Sequence, residues 1–509
     1  MKPLVEVATA QAADAQAAAA GTPVSALMAR AGAAVADATA ELLGGVYGRR
    51  VVALAGRGNN GGDALDALAR LARRGAGAEA LLTTEVDRLG DEARRTAELV
   101  LGAGGRVRVF TPELAQAVLA DADVVLDGVL GTGASGAPRG LAAEAIVAAG
   151  ASPAPVVAVD IPSGVDGATG EVAGPAIHAA VTVTFQALKP GHVLPPGNEH
   201  TGGIRVADIG LPLGDCPWGM SEAGDLRGLV PVPHAETHKR SRGVLLAIGG
   251  SSGMGGAPTL MGRAARRSGA GLLVLAVPGS IAERVGQAVP EALTVALPEA
   301  DGGITPAAAG AVKRWLDEAG AIAIGPGLGR TQATQEAVRG LLAAFDGPVV
   351  VDADGLFALG TGEPLAERKA PTLVTPHAGE FARLAPETGG TRLHAALDRA
   401  SRWGATVLLK GNDTVIAEPG GRLVVNPTGT PVLASGGTGD VLTGLCGALL
   451  AQRLGPFDAA RLGAWVHGRA GSLAGADLSP VSVAAGDVAD HLPAAFRELL
   501  TRAPGDDRR

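Results

Sequence analysis

Short apolar runs that each spill into a glycine-rich loop recur along the whole 509-residue chain, and they restrict its fold more than any other feature. Residues 51–55 read as a strand running into Gly56-Arg57-Gly58-Asn59-Asn60-Gly61-Gly62-Asp63, with a helix expected over 64–74. Helix and strand signals then alternate at 78–83, 92–101, 106–110, 113–120 and 123–127. The pattern resumes at 244–248, which leads into a glycine loop, a helix over 259–268 and a strand over 272–277. Further strands at 321–324, 349–351, 373–374 and 406–409 each end in another loop of glycine and polar residues. Strands separated by helices join side by side in parallel, so this order predicts doubly wound α/β sheets whose loops gather along one edge.

A chain of this length exceeds one ordinary core. Residues 211–224 mix Pro, Gly, Cys and Trp without periodicity, which places a linker at 216–224 between domains 1–215 and 225–503. The halves do not repeat each other in motif order, which argues for fusion of two enzymes over duplication. Ahead of the first strand, residues 10–43 read as helix, punctuated by Gly21 and Pro23, with Leu27, Met28, Ala31 and Val35 on one stripe.

Composition narrows the function classes. Hydrophobic residues at 47% with 18% charged exclude disorder, while 2% aromatics and 77 glycines require cores of Ala, Val and Leu. The net charge of −8 leaves no electrostatic footprint for nucleic acid or an anionic membrane, so local loops must hold any anionic ligand. Cys216 and Cys446 make no disulfide framework, and no Cys/His cluster has zinc spacing. No run approaches the ~18 apolar residues of a membrane span, and the N-terminus lacks a signal-peptide pattern. A soluble cytoplasmic protein is expected, acting on small molecules and homo-oligomeric, without nucleic-acid or membrane partners.

The stretch Ala434-Ser435-Gly436-Gly437-Thr438-Gly439-Asp440 precedes an apolar run over 441–450 that reads as a buried helix. A helix start carries roughly half a positive charge, and glycine lets an anion approach the main chain. A carboxylate there either caps the helix or takes a proton from a substrate hydroxyl during phosphoryl transfer. An ordinary cap needs no glycine-rich approach, which favours Asp440 as a base. This pattern resembles the anion hole and catalytic Asp of the ribokinase-like superfamily.

In the first half, the Asn59-Asn60 pair and Asp63 suit a cation or a nicotinamide amide better than a pyrophosphate, which Asp63 would repel. The strand over 123–127 ends in Asp127 and a flexible loop through Gly136, and the strand over 156–159 ends in Asp160-Ile161-Pro162-Ser163-Gly164. These loops should converge on one crevice. Asp160 reads either as a reacting group or as a structural carboxylate bonded to the N–H groups of the Ser163-Gly164 turn. Lys189 and His192 would line the same crevice or neutralise its acids.

The four blocks GNNGGD, LDGVLGTG, VDIPSGVDG and TFQALKPGHVLPPG resemble the NAD(P)H-hydrate epimerase family. The resemblance implies that Asn59, Asn60, Gly61, Gly62 and Asp63 contact a hydrated nicotinamide nucleotide. It extends that role to Gly131, Thr132, Gly133, Ala134, Ser135, Gly136 and Ala137, and sets Asp160 at the reacting centre. It further implies a potassium ion on Asn60, Asp127 and Ser163. Ala64 stands where the family usually has Gly.

Eight ordered blocks, HKR, GGSSGMGGAP, GPGLG, DADGL, TPHAGE, KGNDT, NPTGTP and SGGTGD, resemble the nucleotide-dependent NAD(P)H-hydrate dehydratases over essentially all of 225–500. Together the two resemblances imply an N-terminal Rossmann-like three-layer αβα sandwich and a C-terminal ribokinase-like αβα domain. By the second, Lys410, Gly411, Asn412, Asp413, Thr414 and Gly439 hold an adenine nucleotide. Ala257, Gly329, His377 and Asp440 face the hydrate, and Glu380 orders magnesium through water. His377 taken alone could equally be a core imidazole. Phe357 stands where the family pattern DADALN has a polar Asn.

The implied activity is bifunctional. The first domain interconverts R and S hydrates, while the second phosphorylates the S hydrate from ADP, or ATP, and expels phosphate to restore NADH or NADPH. A small-molecule kinase of the hydroxymethylpyrimidine or sugar type would share Asp440 but leave the first domain unexplained. A non-enzymatic scaffold would not need Asp63, Asp127 and Asp160.

Overall fold

The computed structural model describes residues 1–501, so the last two residues of the expected second domain, 502 and 503, lie outside the described residues. The chain divides into two units, Lys2–Gly219 and the residues from Met220 onward.

In the first unit, helices α1 (Val7–Ala19) and α2 (Val24–Leu43) replace the single helix expected over 10–43. Gly21, at φ +89°, and Pro23, the N-cap of α2, break it: the left-handed backbone at one and the fixed φ of the other cannot continue a helix. Strands β1 (Arg50–Ala55), β2 (Gly77–Leu82), β3 (Arg106–Val109), β4 (Val124–Gly128), β5 (Val156–Val159), β6 (Val181–Phe185) and β7 (Gly203–Ala207) follow. They form a sheet in the order β3-β2-β1-β4-β5-β6-β7, with every neighbour parallel. Alternation along β1 shows how both faces are covered. Val51, Ala53 and Ala55 join a core with Val35 of α2, Leu65 and Leu68 of α3 (Asn59–Arg73) and Val100 of α4 (Asp91–Gly102). Val52 and Leu54 join another with Leu119 of α5 (Pro112–Leu119) and Ile146 of α6 (Gly140–Ala151). A strand buried on both faces reads as a continuous apolar run, as this one does.

Helix α3 begins at Asn59, five residues before the expected start at Ala64, so Asn59 to Asp63 form its first turn instead of a loop. Tight packing explains the early start. A Cβ on Gly61 would lie 2.0 Å from the Gly56 carbonyl oxygen, so only glycine lets the helix leave the strand this sharply.

The second unit carries β8 (Val244–Ile248), β9 (Leu272–Pro278), β10 (Leu293–Leu297), β11 (Ala321–Ile324), β12 (Val349–Val351), β13 (Thr372–Val374), β14 (Thr406–Leu409), β15 (Thr414–Ala417) and β16 (Leu423–Asn426). Within this unit they run in the order β16-β15-β14-β13-β12-β11-β8-β9-β10. The seven strands from β14 to β10 are parallel, but β14–β15 and β15–β16 are antiparallel. At this end the doubly wound parallel sheet carries two antiparallel strands: the chain turns straight back through Gly411-Asn412-Asp413 with no crossover helix, and such a turn joins only antiparallel neighbours.

Helices α7 (Gly256–Arg267), α9 (Thr438–Ala451), α10 (Pro456–Asp477) and α11 (Ala485–Thr501) pack on one face of this sheet, and α8 (Ala378–Leu384) follows β13. Helix α9 is buried almost throughout. A Cβ on its Gly444 would sit 2.0 Å from the Met261 carbonyl oxygen of α7, so that glycine sets how closely the two helices approach. Among the described residues no helix is long and apolar enough to cross a membrane.

Candidate active sites

Each unit holds its own site at the carboxyl edge of its strands. In the first, a cavity of about 630 Å³ is lined by Asn59, Asn60, Gly61, Asp63, Gly131, Thr132, Gly133, Ala134 and Asp160 among the expected residues. Four others do not line it. Gly62 turns toward α2 and α4, where a Cβ would meet the Met28 side chain at 2.5 Å. Ser135, Gly136 and Ala137 continue the loop away from the cavity wall, with Ala137 lying against Gly174.

Asp160 sits at φ +62°, a conformation that an L-residue keeps only when its surroundings hold it. Its N–H donates to the Val183 carbonyl at 2.8 Å, and its own carbonyl receives His192 Nε2 at 2.7 Å. His192 Nδ1 accepts the Lys189 N–H at 2.9 Å, so we assign the ring proton to Nε2 and the ring as neutral. Burial, with the Lys189 charge adding to it, lowers this imidazole to about 4. The Asp160 carboxylate accepts from Lys189 Nζ at 2.7 Å, Thr184 Oγ1 at 2.9 Å and Thr132 Oγ1 at 3.2 Å. Burial alone would raise its pKa; Lys189 and these hydrogen bonds outweigh burial and hold it low.

The Ser163 turn is held by a different acid. Ser163 N–H and Oγ donate to Asp127 at 2.8 and 2.6 Å, which leaves Asp160 free of that structural duty. Asp127 is fully buried, among the described residues no cationic side chain pairs with it, and burial raises it to about 6. The Leu130 carbonyl, which accepts from Asn60 Nδ2 at 2.9 Å and Ser163 Oγ at 3.2 Å, brings these three residues together. Among the described residues no group of three His, Cys, Asp or Glu side chains could hold a metal. One uncompensated carboxylate among neutral oxygens instead suits a weakly demanding monovalent cation.

Two acids were not singled out as partners of Asp160. Asp14 of α1 lines the cavity, and burial followed by the Asp160 charge raises it. Asp63 is buried and raised well above the ordinary range, first by burial and then by Asp160, Asp66 and Asp14. An acid in an alanine-rich helix was the only signal for Asp14.

In the second unit Asp440 lies in the first turn of α9, whose N-cap Gly437 is left-handed at φ +93°. Among the described residues, no carbonyl preceding the helix accepts from the Gly439 or Asp440 N–H, as expected of a helix start. A Cβ on Gly439 would lie 3.6 Å from Lys410 Nζ and 3.7 Å from Asp352 Oδ2, so these groups converge. Lys410 Nζ donates to Asp352 Oδ1 at 2.8 Å, while Thr443 Oγ1 donates to Asp352 Oδ2 at 2.7 Å. Asp352, noted in the sequence only as part of a motif, is thus the buried acid that orients Lys410. Burial and the Asp352 charge raise Asp440 to about 6, against the pull of Lys410.

Gly411, Asn412 and Asp413 form the turn between β14 and β15; Thr414 opens β15, buried, with its hydroxyl on the Gly411 carbonyl at 2.9 Å. Gly329 N–H donates to Asp354 Oδ2 at 3.0 Å, and Ala257 lies in the first turn of α7, facing Gly327. His377 is exposed and is no core imidazole. It N-caps α8, with Nδ1 accepting from Gly379 and Glu380 N–H at 3.0 and 3.3 Å. Glu380 returns the bond, accepting His377 N–H at 2.8 Å, and lies 3.8 Å from Lys410 Nζ. One ammonium therefore faces three carboxylates, Asp352, Glu380 and Asp440. A polyphosphate entering this site would need a further cation with it.

The family described as YjeF-related protein N-terminus matches residues 24–191, and NAD(P)H-hydrate dehydratase matches residues 245–494. The chain is similar to the bifunctional NAD(P)H-hydrate repair enzyme Nnr of Mycobacterium tuberculosis, 45% identical over 380 residues, 74% of this chain and 73% of the relative. It is similar also to that of Moorella thermoacetica, 39% identical over 471 residues, 90% of this chain and 89% of the relative. A solved structure, the ADP/ATP-dependent NAD(P)H-hydrate dehydratase from Bacillus subtilis co-crystallised with ATP and Mg2+, is 33% identical, with a TM-score of 0.47 over 55% of this chain and 98% of its own. With identity at this level over nearly three quarters or more of both relatives, the chain belongs to the family of bifunctional NAD(P)H-hydrate repair enzymes.

Proposed function

We propose that the protein repairs hydrated NADH and NADPH in the cytoplasm, with the two units acting in turn on the same damaged coenzyme. In the first, Asp160, kept ionised by Lys189, faces the hydrated ring. Its carboxylate stabilises the cationic ring formed when the C6 hydroxyl takes up a proton from solvent in the pocket and departs as water; water returning to either face gives that proton back and exchanges R and S. Asn60, Asp127 and Ser163 would hold a potassium ion, which supplies the positive charge that the buried Asp127 lacks.

In the second unit Asp440 takes the proton of the C6 hydroxyl of the S hydrate, whose oxygen attacks the terminal phosphoryl group of ADP and releases AMP. Departure of phosphate from C6, pushed by the ring nitrogen, with loss of the C5 proton, restores the C5=C6 double bond. The N–H groups of Gly439 and Asp440 receive developing negative charge, and Lys410 supplies a compact cation for phosphate. Magnesium bound with the nucleotide supplies the charge that one lysine among three carboxylates cannot. The observation that carries the reading is Asp440 at a helix start, half-buried, raised to about 6 and adjacent to Lys410. A base poised there is ionised at neutral pH yet basic enough to work.

Chemically hydrated NADH mixed with the protein, magnesium and ADP tests it through the reduced-nicotinamide absorbance. Recovery that requires nucleotide is expected. Release of a stable phosphorylated product without recovery would instead identify a small-molecule kinase.

A further inference from the structure

Phe357 ends the short helix Ala353–Phe357. The guanidinium carbons of Arg330 and Arg383 each lie 4.8 Å from its ring centroid, which bounds their separation at twice that distance. An aromatic ring attracts a cation to its face, and here one ring gathers two. Their mutual repulsion is part of what lowers Arg383, after burial and against the pull of Glu380. Arg330 is fixed by Asp354 at 2.8 Å and keeps a side chain 63% exposed. Arg383 donates to the Gly360 carbonyl at 3.3 Å and, among the described residues, has no carboxylate within ion-pair distance.

The pair also has a defined place. Arg330 follows Gly329, whose N–H shares Asp354 with it, and the Asp354 charge reaches Asp440. Arg383 sits on α8, the helix capped by His377 and Glu380. Both arginines thus flank the segments of Gly329 and His377, which the resemblance assigns to the hydrate. A hydrated dinucleotide brings phosphoryl groups beyond its reacting ring, whereas the half-buried Lys410 is engaged by Asp352 and the chain's net charge of −8 offers no general attraction. Planar guanidiniums stacked on a ring keep their N–H edges outward, which suits phosphate oxygens.

Resting on the dehydration reading above, we propose that Arg330 and Arg383, mounted on Phe357, form a clamp for a phosphoryl group of the hydrated dinucleotide outside its reacting ring. The group is either the 2′-phosphate, present only on the NADPH hydrate, or the pyrophosphate common to both substrates. Phe357 holds both cations against one ring, which a small polar side chain could not do.

Steady-state dehydration by the full chain at saturating ADP and magnesium, with each hydrate in turn, tests the clamp. Arg330→Ala and Arg383→Ala should each raise the hydrate KM about 10- to 100-fold while kcat and the KM for ADP stay within about two-fold. A rise confined to the NADPH hydrate assigns the 2′-phosphate, and an equal rise for both assigns the pyrophosphate. Phe357→Asn should raise KM by a smaller factor, and Phe357→Trp should restore it. Unchanged KM for both hydrates, or losses confined to kcat or to ADP, would overturn the clamp while turnover by the unaltered enzyme upholds the dehydration reading. No turnover by the unaltered enzyme would overturn that reading and the clamp with it.

Discussion

Replacing Lys189 with methionine isolates the ion pair on which the first site depends. The Lys189 and Asp160 side chains are 4% and 13% exposed, and their charged atoms lie 2.7 Å apart. At an effective dielectric of about 20 such a pair attracts by roughly 6 kcal/mol before desolvation. Methionine fills much of the volume and escapes the cost of burying an ammonium, but it leaves a buried carboxylate without its cation. Removing one partner of a buried pair costs about 3–5 kcal/mol. Thr184 and Thr132 still donate to Asp160, which puts the expected loss near the lower figure, about 3 kcal/mol.

The loss should depend on pH in a defined direction. In the native protein Asp160 is held below its ordinary pKa, so it stabilises the fold above the unfolded carboxylate range and loses that contribution as pH falls. In Lys189→Met burial is opposed only by the remaining hydrogen bonds, the folded pKa rises, and the ionised form becomes destabilising as pH increases. Calorimetric unfolding at pH 5 and pH 8 should therefore show a larger deficit at pH 8, together with slower exchange of R and S hydrates at neutral pH. A deficit below about 1 kcal/mol, equal at both pH values, would mean that the pair contributes no more than an exposed one.

Dehydration should fall as pH drops through about 6, where Asp440 takes up a proton. In Asp352→Asn the removed charge no longer raises Asp440, so the acid limb of kcat/KM should move to lower pH while activity drops as Lys410 loses its anchor; an unmoved limb would show that Asp440 is not the titrating base. Gly444→Ala would drive a methyl to 2.0 Å from the Met261 carbonyl oxygen. Overpacking of about 1–3 kcal/mol or more outweighs the roughly 1 kcal/mol that alanine gains in a helix, and a higher melting temperature would contradict the packing described for α7 and α9.

Much of the architecture is legible in the sequence because strands buried on both faces announce themselves. The β11, β12 and β14 strands fall on the very residues that their apolar runs mark out. The antiparallel turn to β15 is not legible, because strand periodicity carries no direction and Gly411-Asn412-Asp413 reads equally as a ligand loop or a reversal. Helix α3 starts early because a glycine contact across space, at Gly56, decides where the turn tightens. The same limit applies within the sites. Glycine and acid motifs mark the loops at both crevices, but they do not reveal that Gly62 faces Met28, that Asp127 and not Asp160 holds the Ser163 turn, or that Asp352 orients Lys410. Each of those facts depends on which side chain meets which across tens of residues.

Whether two separable chemistries act on one damaged coenzyme is decided by following single hydrate epimers with Asp440→Asn. General-base loss should slow dehydration about 10²- to 10⁴-fold, while pure S hydrate supplied to the variant still equilibrates with R at the unaltered rate. Parallel loss of both reactions in a folded variant, or NADH recovery that survives without the Asp440 carboxylate, would contradict the proposed division between the units.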